Sequence, residues 1–296
     1  MLADTLASSP DLLARILPRV FLDKHLSLNP PLRPSLRSPR SPTAFRDCAI
    51  NTEALSSTLG SAVVRIGSCI AVCGITGFVL EAAAASDAES AATLYTNIDL
   101  AGRGSGPPLP ELMALSQWLF EATSAAQLYD PAQLRLDDLH TLVLQAQIQL
   151  LSPLAAGDVA WAALIAALRA TNLPVISTPD NTTDSTSTPT GALEFSRTNT
   201  TPLNLRSPSS LPWCTIFGIV RNQSGQQIIL ADLEGAVEDV AVDGRVAVIV
   251  SADSDVLTSL SVAAGKSHVS KQDVSDCVKL ARKRSAELDK ILLQQL

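Results

Sequence analysis

FRDCAINTEALSSTLGSAVVRIGSCIAVCGITGFV, residues 45–79, is the stretch whose reading decides the fold. At a period of two, Ala62, Val64, Ile66, Ser68 and Ile70 share one face of an extended segment, and Val63, Arg65, Gly67, Cys69 and Ala71 share the other. An apolar row backed by a mixed row is the signature of strands buried on one side. Gly60 and Gly67 punctuate the run. Glycine there marks tight turns or a bulge, so the stretch reads as consecutive strands of one sheet, with the rest of the chain as partner, cover or linker.

The bulk composition suits that reading. A chain of 296 residues can bury a substantial core, as one large domain or two smaller ones. Its apolar fraction of 46% and mean hydropathy of +0.23 come with only 4% aromatics, so Ala, Leu and Val supply the core. This fits an α/β or α+β protein with Ala-faced helices and excludes overall disorder. No apolar run reaches ~18 residues, so no membrane span is expected, and no secretory leader is visible. Cys48, Cys69, Cys73, Cys214 and Cys277 are scattered and odd in number, which reads as reduced, buried thiols. His25, His140 and His268 lie far apart, so neither a zinc site nor any other metal or cofactor is expected. The sequons at Asn181, Asn199 and Asn222 read as chance products of a Thr/Ser-rich chain. A net charge of −7 excludes a uniformly basic coat but leaves room for a local nucleic-acid groove.

Outward from the central stretch, 9–28 is expected to be helical, with Ser9 as N-cap, and broken or kinked at Pro18. Residues 29–42, NPPLRPSLRSPRSP, form an extended basic arm, either a plain linker or a strap laid across a neighbouring subunit. After an acidic Ala-rich segment, 94–100 is a strand, 101–110 a turn-rich loop and 111–127 an amphipathic helix. Residues 142–151 alternate as a strand with one polar face, and 155–170 make a nearly buried helix. The composition then shifts to Thr, Ser, Pro and Asn, with 178–190 a flexible insertion. Strands return at 213–220, 227–232, 245–251 and 256–262, and a long helix from Ser270 to 295 closes the chain. The expected layout is an α+β protein of two βαβα-type halves with an N-terminal and a C-terminal helix. Its parts are 1–42 (helix and arm), 43–176 (first half), 177–210 (connector) and 211–296 (second half).

Several motifs, in this order, resemble the RNase PH family. Arg33-Pro34-Ser35-Leu36-Arg37 keeps the arginines and proline of the family's Arg-Pro-Asp-Gly-Arg segment but loses its Asp and Gly. Ala44-Phe45-Arg46 and the run from Gly60 to Ser68 match closely. Gly157-Asp158 stands where the family starts an Ala-rich helix, and Cys277, Ala281, Lys283, Arg284, Glu287 and Leu288 match its C-terminal helix. The resemblance covers 30–296 and implies an RNase PH-like fold (ribosomal protein S5 domain 2-like). The helix leading into the Arg-Pro segment is similar to the ring subunits of the RNA exosome. That implies a hetero-hexameric ring of RNase PH-like subunits, S1/KH cap subunits, a catalytic nuclease elsewhere in the complex, and single-stranded RNA in a central channel. It also implies rRNA processing and RNA degradation in nucleus, nucleolus and cytoplasm.

Phosphorolysis needs cations to hold phosphate against an anionic backbone, and an acid near the leaving oxygen. Active family members use tandem arginines in a Gly-rich loop and an Asp before a strand. Here the matching loop holds Arg103 alone, and Gly244 stands at the aligned acid position, with Asp243 one residue away. A one-residue shift reverses side-chain direction on a strand. The expectation is therefore a subunit with no catalytic residues and no cofactor. The alternatives are a phosphate-dependent 3′-to-5′ exoribonuclease using Asp243, a different RNase PH-like ring subunit, or a stand-alone binding module. Arg103 and Arg65 are the expected RNA contacts, Arg65 also being open to a stacking or interface role. Asp232, Glu234, Glu238 and Asp239 read as a solvated loop rather than an acid–base or metal cluster, and the basic run 279–284 as a solvated helix face.

Overall fold

The computed structural model describes residues 10–33, 39–81, 94–102, 109–136, 140–151, 156–177, 194–207, 209–222, 225–253, 257–265 and 268–294. The expected break at Pro18 divides the segment into helices α1 (Pro10–Ile16) and α2 (Pro18–Leu26), because Pro18 has no amide to continue the ladder. Ser9 lies outside the described residues.

The central stretch folds as β1 (Cys48–Thr52), β2 (Gly60–Ile66) and β3 (Cys69–Glu81). With β4 (Leu94–Leu100) and β5 (His140–Leu150) they form a sheet of order β1-β2-β3-β5-β4. All pairs are antiparallel except β4 with β5, which are joined through α3 (Pro110–Ala126) as a parallel crossover requires. The continuous alternation expected across 62–71 is corrected. A two-residue turn at Gly67 and Ser68 pairs Ile66 with Cys69, and Gly67 supplies the positive φ of 59°. The turn resets the period, so Cys69, Ala71, Cys73 and Ile75 join Ala62, Val64 and Ile66 in the core, while Ile70 moves to the opposite face.

Helix α4 (Gly157–Arg169) is buried almost along its whole length, from Val159 to Leu168, because it lies between the inner face of the first sheet and a strand of the second. Its Ala-rich sequence permits that close approach from both sides, and its one indole N–H, on Trp161, donates to Pro212 O at 2.7 Å. Beyond it, β6 (Asn172–Ser177) and β7 (Glu194–Pro202) form a hairpin around the 178–190 insertion, which lies outside the described residues.

The second sheet contains β8 (Trp213–Arg221), β9 (Gln227–Ala231), β10 (Gly244–Val250) and β11 (Leu257–Ala264) in the antiparallel order β11-β10-β8-β9. A short helix not foreseen in the sequence, α5 (Gly235–Ala241), joins β9 to β10. The long helix α6 (Lys271–Leu293) covers Phe217, Val246 and Val248 with Cys277 and Ala281. Ser270 caps it reciprocally with Asp273.

Candidate functional site

The acidic stretch 232–239 is neither solvated nor a loop throughout. Asp232 and Glu238 are 3% and 1% exposed, and Glu238 belongs to α5. Three arginines account for this: Arg33 and Arg40 of the N-terminal arm, and Arg46 just after it. Arg33, itself fully buried, donates Nε to Glu238 Oε1 at 2.9 Å and Nη2 to Glu238 Oε2. Its other N–H groups reach the carbonyls of Ala231, Asp232 and Pro42. Arg46 grips Asp232 through Nε at 3.0 Å and Nη2 at 2.5 Å, and its backbone amide donates to Asp232 Oδ2 at 2.7 Å. Arg40 bridges Asp232 and Glu234 at 3.4 and 3.2 Å. Burial alone would lower the Arg46 guanidinium, but the hydrogen bonds and charge of Asp232 outweigh it and raise Arg46 above its ordinary value. The described part of the arm is thus strapped to its own chain. Arg284 completes the lock by donating to Arg46 O at 2.7 Å while lying 5.1 Å over the Phe45 ring. It is buried, which corrects the solvated reading of the basic run in part, whereas Lys279 and Lys283 are exposed.

Beside this lock, a cleft of about 530 Å³ separates the two sheets. The N-terminal turns of α3 and α4 meet there, contributing Glu111 and Asp158, and the second sheet's side contributes Ile216, Leu233, Asp239 and Arg245. Arg245 is paired with Asp239 at 2.8 Å. Asp158 Oδ1 is shielded from solvent and has no hydrogen-bond partner. Burial, reinforced by the Asp232 charge, pushes the Asp158 carboxyl up to about 8, against the pull of the Ile216 amide, Arg46 and Arg284. Sequence reasoning placed Asp158 at a helix start but missed its place in a cleft, because Ile216 and Asp239 approach it only through the fold.

The sequence-expected site residues are not brought together. Arg103 lies outside the described residues. Arg65 is exposed on β2, between Ala49 and Ile70 in the register. Gly244 opens β10 between Ile219 and Ala264. Asp243 does not line the cleft: its Oδ1 meets Arg19 Nη1 of α2 at 2.8 Å, and its Oδ2 accepts the Arg221 amide at 3.0 Å. Among the described residues, no group of three or more His, Cys, Asp or Glu is placed to hold a metal, and no helix is long and apolar enough to cross a membrane. The five cysteines are thiols rather than disulfide partners, and burial pushes the Cys48 thiol up to about 11 and that of Cys277 to about 12.

The overall fold recurs in solved structures. An Archaeoglobus fulgidus exosome structure with RNA bound to the active site matches with a TM-score of 0.70 at 18% identity, over 94% of this chain and 98% of that one. The fold is that of an exosome core subunit. An archaeal exosome core matches with a TM-score of 0.69 at 17% identity, over 95% of this chain and 98% of that one. Rrp46 of rice (Oryza sativa) matches at 0.54 and 12% identity, over 86% and 95%. The RNase PH-like α+β fold expected from the sequence is therefore borne out. In sequence, the chain is 32% identical over 177 residues to the exosome complex component rrp43 of Schizosaccharomyces pombe. The match takes in 57% of this chain and spans 63% of the length of rrp43. No protein-family model matches the chain.

Proposed function

We propose that this chain is a ring subunit of the RNA exosome, of the rrp43 type, without an active site of its own. It would support 3′-to-5′ RNA processing and degradation, rRNA maturation included, by a nuclease elsewhere in the complex. Its partners on this reading are other RNase PH-like subunits, S1/KH cap subunits and single-stranded RNA, in nucleus, nucleolus and cytoplasm. The similarity to rrp43 and the exosome-core fold support the assembly.

The charge of the cleft carries the non-catalytic part. Helix N-termini are ready anion sites, and two of them meet there. Each has a carboxyl in its first turn: Glu111 on α3, and on α4 Asp158, which burial keeps protonated and neutral below about pH 8. Among the described lining residues the one cation, Arg245, is already paired with Asp239. From the described lining residues, phosphate and an RNA phosphodiester, both anionic, would gain no unpaired cation to offset their loss of hydration. The one acid near the family's catalytic position, Asp243, is held by Arg19 outside the cleft.

The test is to co-purify the chain with its ring partners, without a separate nuclease, and supply single-stranded RNA and phosphate. No nucleoside diphosphate should be released. Phosphate-dependent release that Asp243→Ala abolishes would replace this reading with that of a phosphorolytic enzyme. Failure to co-purify with other ring subunits would remove the assembly itself. For RNA contact, Arg65→Glu and Arg103→Glu should each weaken crosslinking of RNA in the assembled ring; unchanged crosslinking strikes that arginine from the channel.

A further inference from the structure

The N-terminal arm repeats Arg-Ser-Pro, at 37–39 and again at Arg40-Ser41-Pro42. The second copy lies in the strap itself. From 39 to 44 exposure alternates as it does in an extended chain: Pro39, Ser41 and Thr43 are exposed, and Arg40, Pro42 and Ala44 are partly covered. Arg40 and Pro42 hold the strap down. Arg40 reaches Asp232 and Glu234, and Pro42 O accepts the Ala231 amide at 2.9 Å and Arg33 Nη1 at 3.2 Å. Ser41 sits between these two anchors, on the solvent side.

Of the three arginines in the lock, Arg40 is the most weakly held. Its contacts with Asp232 and Glu234 are 3.4 and 3.2 Å, and its Nε, shielded from solvent, has no hydrogen-bond partner. Burial and the neighbouring Arg33 charge lower its guanidinium below the ordinary value, whereas that of Arg46 is raised. A phosphoryl group on the adjacent serine would carry a charge of about −1.5 to −2 and accept bidentate bonds from a guanidinium. It would give Arg40 a stronger partner than two carboxylates at that distance. The strap also controls access to Ser41. A kinase draws the residues on both sides of its target through its own cleft, but here the Ala44 amide is turned back onto Ser41 O at 3.1 Å and the Pro42 carbonyl is engaged. Local opening must come first.

We propose that Ser41 is a phosphorylation site for a proline-directed serine kinase, that the strap must lift before it is modified, and that the phosphate then keeps Arg40 out of the lock. In the transfer, Ser41 Oγ attacks the γ-phosphorus of ATP. The Oγ–P bond forms as the bond from that phosphorus to the β,γ-bridging oxygen breaks, ADP leaves, and the hydroxyl proton passes to the base of the kinase. The switch lies within the chain's own arm and is independent of ring assembly.

Mass spectrometry of the full chain incubated with ATP and a proline-directed kinase, beside a peptide of residues 36–47, tests each part. Ser41 in the folded chain should be modified on the order of tenfold more slowly than in the peptide, since only the lifted arm is a substrate. Glu234→Gln weakens the hold on Arg40 and leaves the arm's sequence intact, so it should narrow that gap. Hydrogen exchange then reads the strap. The Ala231 amide, which donates to Pro42 O, should exchange on the order of tenfold faster in the phosphorylated chain than in the unmodified one. Ser41→Ala, treated in the same way, should keep that amide as protected as in the parent. A peptide left unmodified at Ser41 overturns the site. A folded chain modified as fast as the peptide overturns the gating, and an Ala231 amide equally protected with and without the phosphate overturns the release.

Discussion

Arg33 is the residue whose removal should damage this protein most for its size. All five of its N–H groups are used, on Glu238 Oε1 and Oε2 and on the carbonyls of Ala231, Asp232 and Pro42, and its side chain is 0% exposed. Arg33→Met keeps much of the volume but leaves Glu238, 1% exposed, without a counter-charge. Breaking one side of a buried pair costs about 3–5 kcal/mol, because the surviving charge keeps its desolvation penalty. Against a total stability of about 5–15 kcal/mol, this brings the chain near its threshold. Urea unfolding of the full chain would read the loss as a lower midpoint at unchanged slope. The double variant Arg33→Met/Glu238→Leu should recover most of it, since no buried charge is then left alone. The Glu234 amide, which donates to Glu238 Oε2 at 2.7 Å, and the carbonyls of Ala231, Asp232 and Pro42, which lose the Arg33 donors, would keep the recovery short of complete. A single variant within about 1 kcal/mol of the parent, or a double variant no better than the single, would refute the idea that charge pairing holds the arm.

Asp158→Asn should make stability less dependent on pH. The folded carboxyl titrates near 8 against an ordinary value of 3.8, so the folded state keeps a proton that the unfolded chain releases between those values. The parent's stability should therefore fall by about 1.4 kcal/mol per pH unit from this group as pH rises from about 4 to about 8, and then level off. Unfolding curves of parent and variant that stay parallel across that window would show that Asp158 ionises normally. Gly60→Ala should cost about 3 kcal/mol, because a methyl there would stand 2.6 Å from Thr171 Cα and 2.7 Å from Ala167 O, both backbone. Thermal unfolding would show a lower midpoint, and an unchanged one would mean that α4 can draw back from β2. Ser270→Ala removes a side chain that accepts the Asp273 amide, and should cost about 1 kcal/mol, read as earlier loss of helical signal on heating.

Features that depend on neighbours in the chain were legible in the sequence. Pro18 splits the first helix because its own backbone lacks a donor, and Ser270 caps the last through Asp273 three residues on. Leu142, Leu144, Ala146, Ile148 and Leu150 alternate into the core as a local period of two requires, and Gln145, Gln147 and Gln149 face outward. The exception at Gly67 is also local: two residues of turn were enough to shift the inward face from even to odd positions along β3. Helix α5 escaped notice because its seven residues are too few to show a helical period, and its acids resemble a surface loop.

The amino-acid order by itself determined the strands, the helix ends, the RNase PH-like resemblance and the lone arginine of the Gly-rich loop. Tertiary structure alone decided what the charges do. Arg33 and Glu238 are 205 positions apart, and Arg46 and Asp232 are 186 apart. A carboxylate reads as solvated until the fold supplies its counter-ion. The same holds for Asp158, whose proton affinity is set by burial and by Asp232, and for Asp243, which Arg19 holds away from the cleft. Pairing and desolvation act through space, and only the folded chain brings those groups within a few ångströms.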